Sequence, residues 1–198
     1  MLCLRGAPAL SDFRLAKLKA RLREAGVPDT DLYAEFMHFA NLAGPLDDAQ
    51  WAVLERLLRY GPSSLSAHEP TGRLVLVVPR PGTISPWSSK ATDIARNAGL
   101  DAVRRLERGT AYYLAGAELD DAALTRAAAA LHDRMTEVAL FDVADAERLF
   151  VQAEPRPAAR VDCIGGGRAA LVAANTDLGL ALSDDEIDYL VESFQALG

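Results

Sequence analysis

Apolar positions along this chain change period from segment to segment, and the changes mark its elements. Over residues 11–25 the period is helical. Leu15, Leu18 and Leu22 share a face, Ser11 suits the N-cap, and Gly26 followed by Pro28 stops the helix. Over residues 32–42 the period is two, which predicts a strand with Tyr33, Met37 and Phe39 on one side and Leu32, Ala34 and Phe36 on the other. A helix follows from Asp47 or Asp48, turns Trp51, Leu54, Leu57 and Leu58 inward, and ends at Gly61-Pro62. The Gly-, Pro- and Ser-rich residues 60–72 predict a loop. Residues 74–78 are continuously apolar, as expected of a strand covered on both faces. Beyond a loop at residues 80–84, a helix starts near Ser85-Pro86 and ends at Gly99, and a second aromatic strand lies within residues 103–114. From Asp120 a helix puts Leu124, Ala127, Ala128, Leu131 and Met135 on one face, and residues 138–141 make a short closing strand.

Two junctions in this pattern resemble each other. Leu42-Ala43-Gly44 with Leu46-Asp47-Asp48-Ala49 matches Leu114-Ala115-Gly116 with Leu119-Asp120-Asp121-Ala122, one residue being inserted. In each copy an aromatic strand precedes and an amphipathic helix follows. Glycine turns the chain out of the strand, and aspartate caps the helix and suits its positive end. Strand-Gly-Asp-helix junctions also arise by chance. If the match is a duplication, residues 32–140 hold two related α/β halves around a pseudo-two-fold axis.

After Phe141 the texture changes. A short helical stretch at residues 143–151 leads into Gln152-Ala153-Glu154-Pro155-Arg156-Pro157, a stiff linker by composition. Gly165-Gly166-Gly167 precede a helix at residues 168–175, but lack the spacing of a phosphate loop and read as a turn. Ser183-Asp184-Asp185-Glu186 is a capping box, and Ile187, Leu190, Val191 and Phe194 form the stripe of the last helix. A region this short rarely builds its own core, so this stripe is expected to pack on the preceding domain or on another partner.

Composition narrows the classes. The chain has 198 residues, half of them hydrophobic, and a formal charge of −7. That charge opposes generic nucleic-acid binding, which depends on neutralising phosphates. No apolar run approaches the ~20 residues that span a bilayer, and no signal peptide is legible at the N-terminus. Cys3 and Cys163 stand far apart without metal spacing, which suits a reducing compartment. A soluble cytoplasmic protein is the expectation. Arg14, Lys17, Lys19, Arg21 and Arg23 crowd the first helix and form either a solvated face or a basic patch for an acidic partner. His38 reads as a packed structural histidine.

Residues 80–93 are chemically the densest stretch. Thr83, Ser85, Ser88, Ser89 and Thr92 offer hydroxyls, Arg80 and Lys90 add charge, and Trp87 stands among them at a helix start. Such a set could hold an anion or contact another domain. The plainer reading is an elaborate cap, with Ser85 as N-cap and Pro86 in the first turn. In the contact reading these groups face water in the isolated chain, and changing them costs little stability. No GxSxG, HExxH or Walker pattern is present, and His38, His68 and His132 show no metal spacing.

The segment RPGTISPWSSKATDIARNAGLD at residues 80–101 resembles the N-terminal domain of the phosphoribosylformylglycinamidine synthase family. Arg5-Gly6 with Pro8-Ala9-Leu10, Tyr33-Ala34-Glu35, Leu54-Glu55-Arg56-Leu57-Leu58 with Tyr60-Gly61-Pro62, and Arg105-Leu106-Glu107-Arg108-Gly109 also fit that pattern. So do Leu178-Gly179-Leu180-Ala181-Leu182 and Asp185-Glu186-Ile187-Asp188-Tyr189-Leu190.

The resemblance implies an α+β fold. Residues 1–150 would form a duplicated α/β sandwich like a dimer of the small subunit found where the enzyme is split, and residues 151–198 an incomplete, mostly helical linker domain. It implies a parent ligase that uses glutamine and ATP with magnesium to convert formylglycinamide ribonucleotide to the amidine in purine synthesis. Synthetase and glutaminase domains of the same parent chain would be the partners, and the N-terminal domain would help to join them and form the ammonia route. None of the family's catalytic residues maps onto these 198 residues, so the piece is expected to be silent as ligase and glutaminase, with no metal or cofactor of its own. The competing reading is a free-standing α/β module that binds a small anion at residues 80–93. The reading frame beyond Gly198 separates the two.

Overall fold

The computed structural model describes residues 1–60, 70–116, 119–151, 154–155 and 157–198. The stop at Gly61-Pro62, most of the loop at residues 60–72, and Gln152, Ala153 and Arg156 of the linker lie outside the described residues. The chain divides into two compact units, residues 1–153 and 154–198.

The first unit is α+β. Strands β1 (Leu2–Pro8), β2 (Asp31–Leu42), β3 (Arg73–Pro79), β4 (Val103–Ala115) and β5 (Glu137–Leu140) form one antiparallel sheet in the order β1-β2-β4-β3-β5. Helices α1 (Asp12–Glu24), α2 (Asp48–Leu58), α3 (Pro86–Asn97) and α4 (Asp121–Leu131) alternate with the strands, and a 3-10 helix spans Ala144–Phe150. The capping expected at Asp47, Ser85 and Asp120 is present, each side chain accepting from an amide three residues on. Gly26 and Gly99 follow α1 and α3 with φ of 74° and 83°, left-handed turns that cost glycine little.

Two local expectations fail. Ser11 has extended dihedrals at the start of α1, but its hydroxyl makes no capping bond. Met135 is not on α4: the helix ends at Leu131, and the Asp133 carboxylate accepts from the Met135 amide, a local turn that competes with helix.

The order β1-β2-β4-β3 is a palindrome of two β-α-β-α halves. Met37 faces Gly109 across the central β2–β4 pair, and moving outward Phe36 faces Thr110 while His38 faces Arg108. The two strands therefore map onto each other about the Met37–Gly109 pair. The flanking strands keep the same register, with Leu2 opposite Ala40 and Val75 opposite Tyr112. N-caps Ser11 and Ser85 correspond, as do Asp47 and Asp120. The repeat is larger than residues 32–140 suggest at its start and smaller at its end. It includes β1 and α1 and leaves β5 outside.

One sheet face carries all four helices. Leu32, Val75, Val77 and Leu114 meet α1 and α4 through Leu22, Ala123, Leu124 and Ala127, while Ala40 and Leu106 meet α2 and α3 through Leu54, Leu58 and Ala95. On the other face Met37, Phe39, Leu76, Val78, Ala111 and Leu140 pack with Ala146 and Leu149 of the 3-10 helix.

In the second unit, α5 (Gly167–Leu178) and α6 (Asp184–Leu197) form a helical pair. The Asp162 carboxylate accepts from the Gly165 amide, which makes the glycine run a turn. The Ser183–Glu186 capping box is formed. Ile187, Leu190 and Val191 of the α6 stripe pack with Cys163 and Leu171 within this unit, while Phe194 of the same stripe is 47% exposed. Arg168, paired to Asp184 and Asp188, and Asn175, bracketing Leu182, supply polar ties that such a small core needs.

A Cβ on Gly109 would stand 2.7 Å from the Val77 carbonyl oxygen and 2.8 Å from Val78 Cγ1. Backbone cannot yield as a side-chain tip does, so Gly109→Ala should cost about 1–3 kcal/mol in urea unfolding. Gly44→Ala, with nothing within 4 Å of its Cβ, should stay within ~0.5 kcal/mol. Equal stability of the two variants would show that β3 does not close on the central pair.

Candidate functional site

The loop from β3 to α3 is built by three turns of hydrogen bonding. The Arg80 amide donates to the Thr136 carbonyl, and the Thr83 amide and hydroxyl both donate to the Arg80 carbonyl, at 3.1 and 2.6 Å. Gly82 takes φ of 84° between them. Ser85 then caps α3, its oxygen accepting from the Ser88 amide at 3.0 Å, and Pro86 fills the first turn.

Beneath this loop sits Glu107, fully buried. Its carboxylate accepts from the Ser85 amide at 3.2 Å and hydroxyl at 2.8 Å, and from Arg105 at 2.5 Å. Arg105 also donates to the carbonyls of Thr83 at 2.7 Å and Leu149 at 3.0 Å, and its guanidinium lies 5.5 Å from the Phe150 ring centre. One arginine thus ties β4, the loop and the 3-10 helix together.

Ser88 and Thr92 serve the sheet. β3 pairs with β4 only as far as Val77 opposite Thr110, so Leu106 lies past the paired stretch. The Ser88 hydroxyl donates to the Leu106 carbonyl at 2.5 Å, and the Thr92 oxygen accepts from the Leu106 amide at 3.0 Å. Two helix hydroxyls replace a strand's ladder bonds. Both side chains are buried, which corrects the expectation that these groups face water at small cost.

The remaining members of the set divide. Trp87 is half-buried against the α2–α3 core, 5.7 Å from the His38 ring. Ser89 and Lys90 are exposed, as are Arg80 and Thr83, although Arg80 donates to the Met135 carbonyl. The structure therefore turns Ser85, Ser88 and Thr92 inward and leaves Ser89 and Lys90 outward. The sequence reading missed Arg105 and Glu107. Their signal was opposite charges two positions apart, and so on one face of a strand, among four charged residues at the start of β4.

A second cluster surrounds His38, which is 1% exposed. Its Nε2 lies 2.5 Å from the Tyr60 hydroxyl, and its ring stands edge-on to Tyr60. Arg108 lies 4.3 Å over Phe36, 5.1 Å from Trp87 and 5.9 Å from Tyr60, a cation held by three aromatic faces. Burial first, and the Arg108 charge second, lower the His38 pKa to about 4, so the ring is neutral at neutral pH. This is the structural histidine expected from the sequence.

Burial, and then the Glu35 charge, push the Cys3 thiol above its ordinary value, away from thiolate. Among the described residues there is no group of three or more His, Cys, Asp or Glu that could hold a metal ion, and no helix long and apolar enough to cross a membrane.

Sheet order, paired helices and internal wiring define a duplicated α+β domain whose densest polar network holds its own loops in place. Residues 35–150 match the family described as formylglycinamide ribonucleotide amidotransferase N-terminal, more than half of the chain, and the chain belongs to that family. The family ties it to phosphoribosylformylglycinamidine synthase, an amidotransferase-type ligase of purine biosynthesis.

Ser88→Ala leaves the buried Leu106 carbonyl without its donor and should cost about 1–3 kcal/mol in urea unfolding. Ser89→Ala, at an exposed site, should cost within ~0.5 kcal/mol. Loss of stability on acidification should also trace to His38. Its folded pKa of about 4 lies below the ordinary ~6.5, so the unfolded chain binds the extra proton between those values. Stability is then full above pH ~6.5 and falls by up to about 3 kcal/mol as pH drops to ~4. His38→Leu should remove this component from the pH profile, whatever it does to stability at pH 8.

Proposed function

We propose that this chain is the N-terminal assembly part of phosphoribosylformylglycinamidine synthase, catalytically silent by itself. Its parent would be the cytoplasmic ligase that uses glutamine and ATP to convert formylglycinamide ribonucleotide to the amidine. In this reading the module joins the synthetase and glutaminase domains of the same chain and helps to form the ammonia route between them. ATP and magnesium would bind in the synthetase domain of that parent.

The supporting observation is a rigid loop that leaves apolar surface in water. Ile84 is 65% exposed although the Thr83 hydroxyl is tied to the Arg80 carbonyl within the loop and the Ser85 hydroxyl to buried Glu107. Arg80 bonds this loop to the turn carrying Met135, which is 77% exposed. Two large apolar side chains on hydrogen-bonded turns, with Lys90 on the adjoining helix, make a pre-organised contact surface. A synthetase face with apolar and acidic groups would complement it.

Because Ser88 is buried, a change there confounds contact with stability. Ile84→Glu combined with Lys90→Glu avoids the problem, since both side chains are exposed. Unfolding of the 198-residue chain should shift by less than about 1 kcal/mol. Ammonia-dependent synthesis by the full-length enzyme should fall at least several-fold, and glutamine-dependent synthesis no less. Normal activity of the full-length variant would overturn the contact reading.

A further inference from the structure

Helix α1 carries five basic side chains, and the fold sorts them into two groups. Lys19 is paired with Asp31 at 3.2 Å and Arg23 with Asp29 at 2.8 Å. Arg14, Lys17 and Arg21 have no carboxylate partner among the described residues. Their spacing of three and then four residues sets them in one row, about 10 Å long at 1.5 Å rise per residue. In a chain of net charge −7, three cations left without acidic partners on one side of a helix stand out.

The row does not border flat surface. It rims a cavity of about 530 Å³, within the range typical of small-molecule sites. Leu18, Leu131 and the ring of Tyr112 give the cavity apolar walls; Glu24 lines its edge, and Glu137 lies close enough to Tyr112 to act on its hydroxyl. Burial, and then the Glu137 charge, push the Tyr112 phenol up, which keeps it an O–H donor. A solvated helix face needs neither an apolar hollow nor the separation of paired from unpaired cations.

We propose that this cavity binds a small polyphosphorylated ligand with a flat apolar body, of the nucleoside di- or triphosphate class. The phosphates lie along Arg14, Lys17 and Arg21, and the ring lies against Tyr112. A single carboxylate would engage one cation of the row, whereas two or three phosphates match its length and charge. The cations are exposed, so binding weakens as salt rises. The site shares no residue with the domain-contact surface proposed above and does not depend on it.

Isothermal titration of the 198-residue chain at low salt with ADP, pyrophosphate and adenosine tests this. ADP should bind with a Kd below about 1 mM, pyrophosphate more weakly, and adenosine not measurably. Arg14→Ala with Lys17→Ala should weaken ADP at least ~tenfold, while Lys19→Ala with Arg23→Ala, on the same helix, should change it less than ~twofold. Absence of ADP binding, or equal losses in the two double variants, would overturn the site. Equal affinity for ADP and pyrophosphate would overturn the role given to Tyr112.

Discussion

The first unit depends on the antiparallel pairing of β2 with β4. These strands are related to each other, and they meet about the Met37–Gly109 pair. Once two equivalent strands pair antiparallel, everything attached to them is placed by the same rotation. β1 must then flank β2 as β3 flanks β4. The helix packing shows what this does to stability. α1 from the first half shares a core with α4 from the second, and α2 from the first shares one with α3 from the second. Neither half owns a complete core. The halves are therefore expected to fold together, because separating them would expose both helical clusters at once.

On this symmetric frame the sequence writes an asymmetry. Glu35 and Glu107 occupy corresponding places in β2 and β4, and both are fully buried. Their partners differ. Arg5 reaches Glu35 from β1 with two bonds, at 2.7 and 2.9 Å, joined by the Tyr33 hydroxyl at 3.2 Å. Glu107 instead binds Arg105 and the N-cap serine of α3. The first half has no such link, because Ser11 leaves its hydroxyl in solvent. So the same fold fixes one loop rigidly through the sheet and leaves its counterpart a plain helix start.

Much of this was legible in the sequence, and what was not has a physical reason. Periodicity located α1 to α4 and strands β2 to β5, because aromatic and β-branched runs mark the strands while α2 and α4 repeat at 3.6. The edge strand β1 was not expected. The Asp47 and Asp120 caps were readable because capping is local. Ser88 and Thr92 were misread because their partner, the Leu106 backbone, is 18 and 14 residues away, and only the end of the β3 pairing leaves it unsatisfied. Met135 kept the helical period but fell beyond a local aspartate turn. The part of the α6 stripe that packs on Leu171 was not foreseen, because Leu171 belongs to a helix whose own stripe is short. The repeat was seen at its junctions, where glycine and aspartate are constrained. It was missed in β1 and α1, where burial tolerates many apolar sequences.

The Arg105–Glu107 pair shows why such a network is worth keeping in a domain whose role is contact. A buried ion pair is weak support for stability, since apolar residues of similar volume often serve as well. What apolar residues cannot supply is direction. Arg105 points bonds at the Thr83 and Leu149 carbonyls, and Glu107 at Ser85, so that two loops and a helix start hold fixed positions relative to β4. Replacing the pair with leucine and methionine would preserve a packed sheet face but release those carbonyls. Ile84, between two of the anchored residues, would lose its fixed position. A surface that must meet a partner in one orientation gains more from this constraint than from added burial, because ordering the loop on binding costs affinity that a pre-ordered loop keeps.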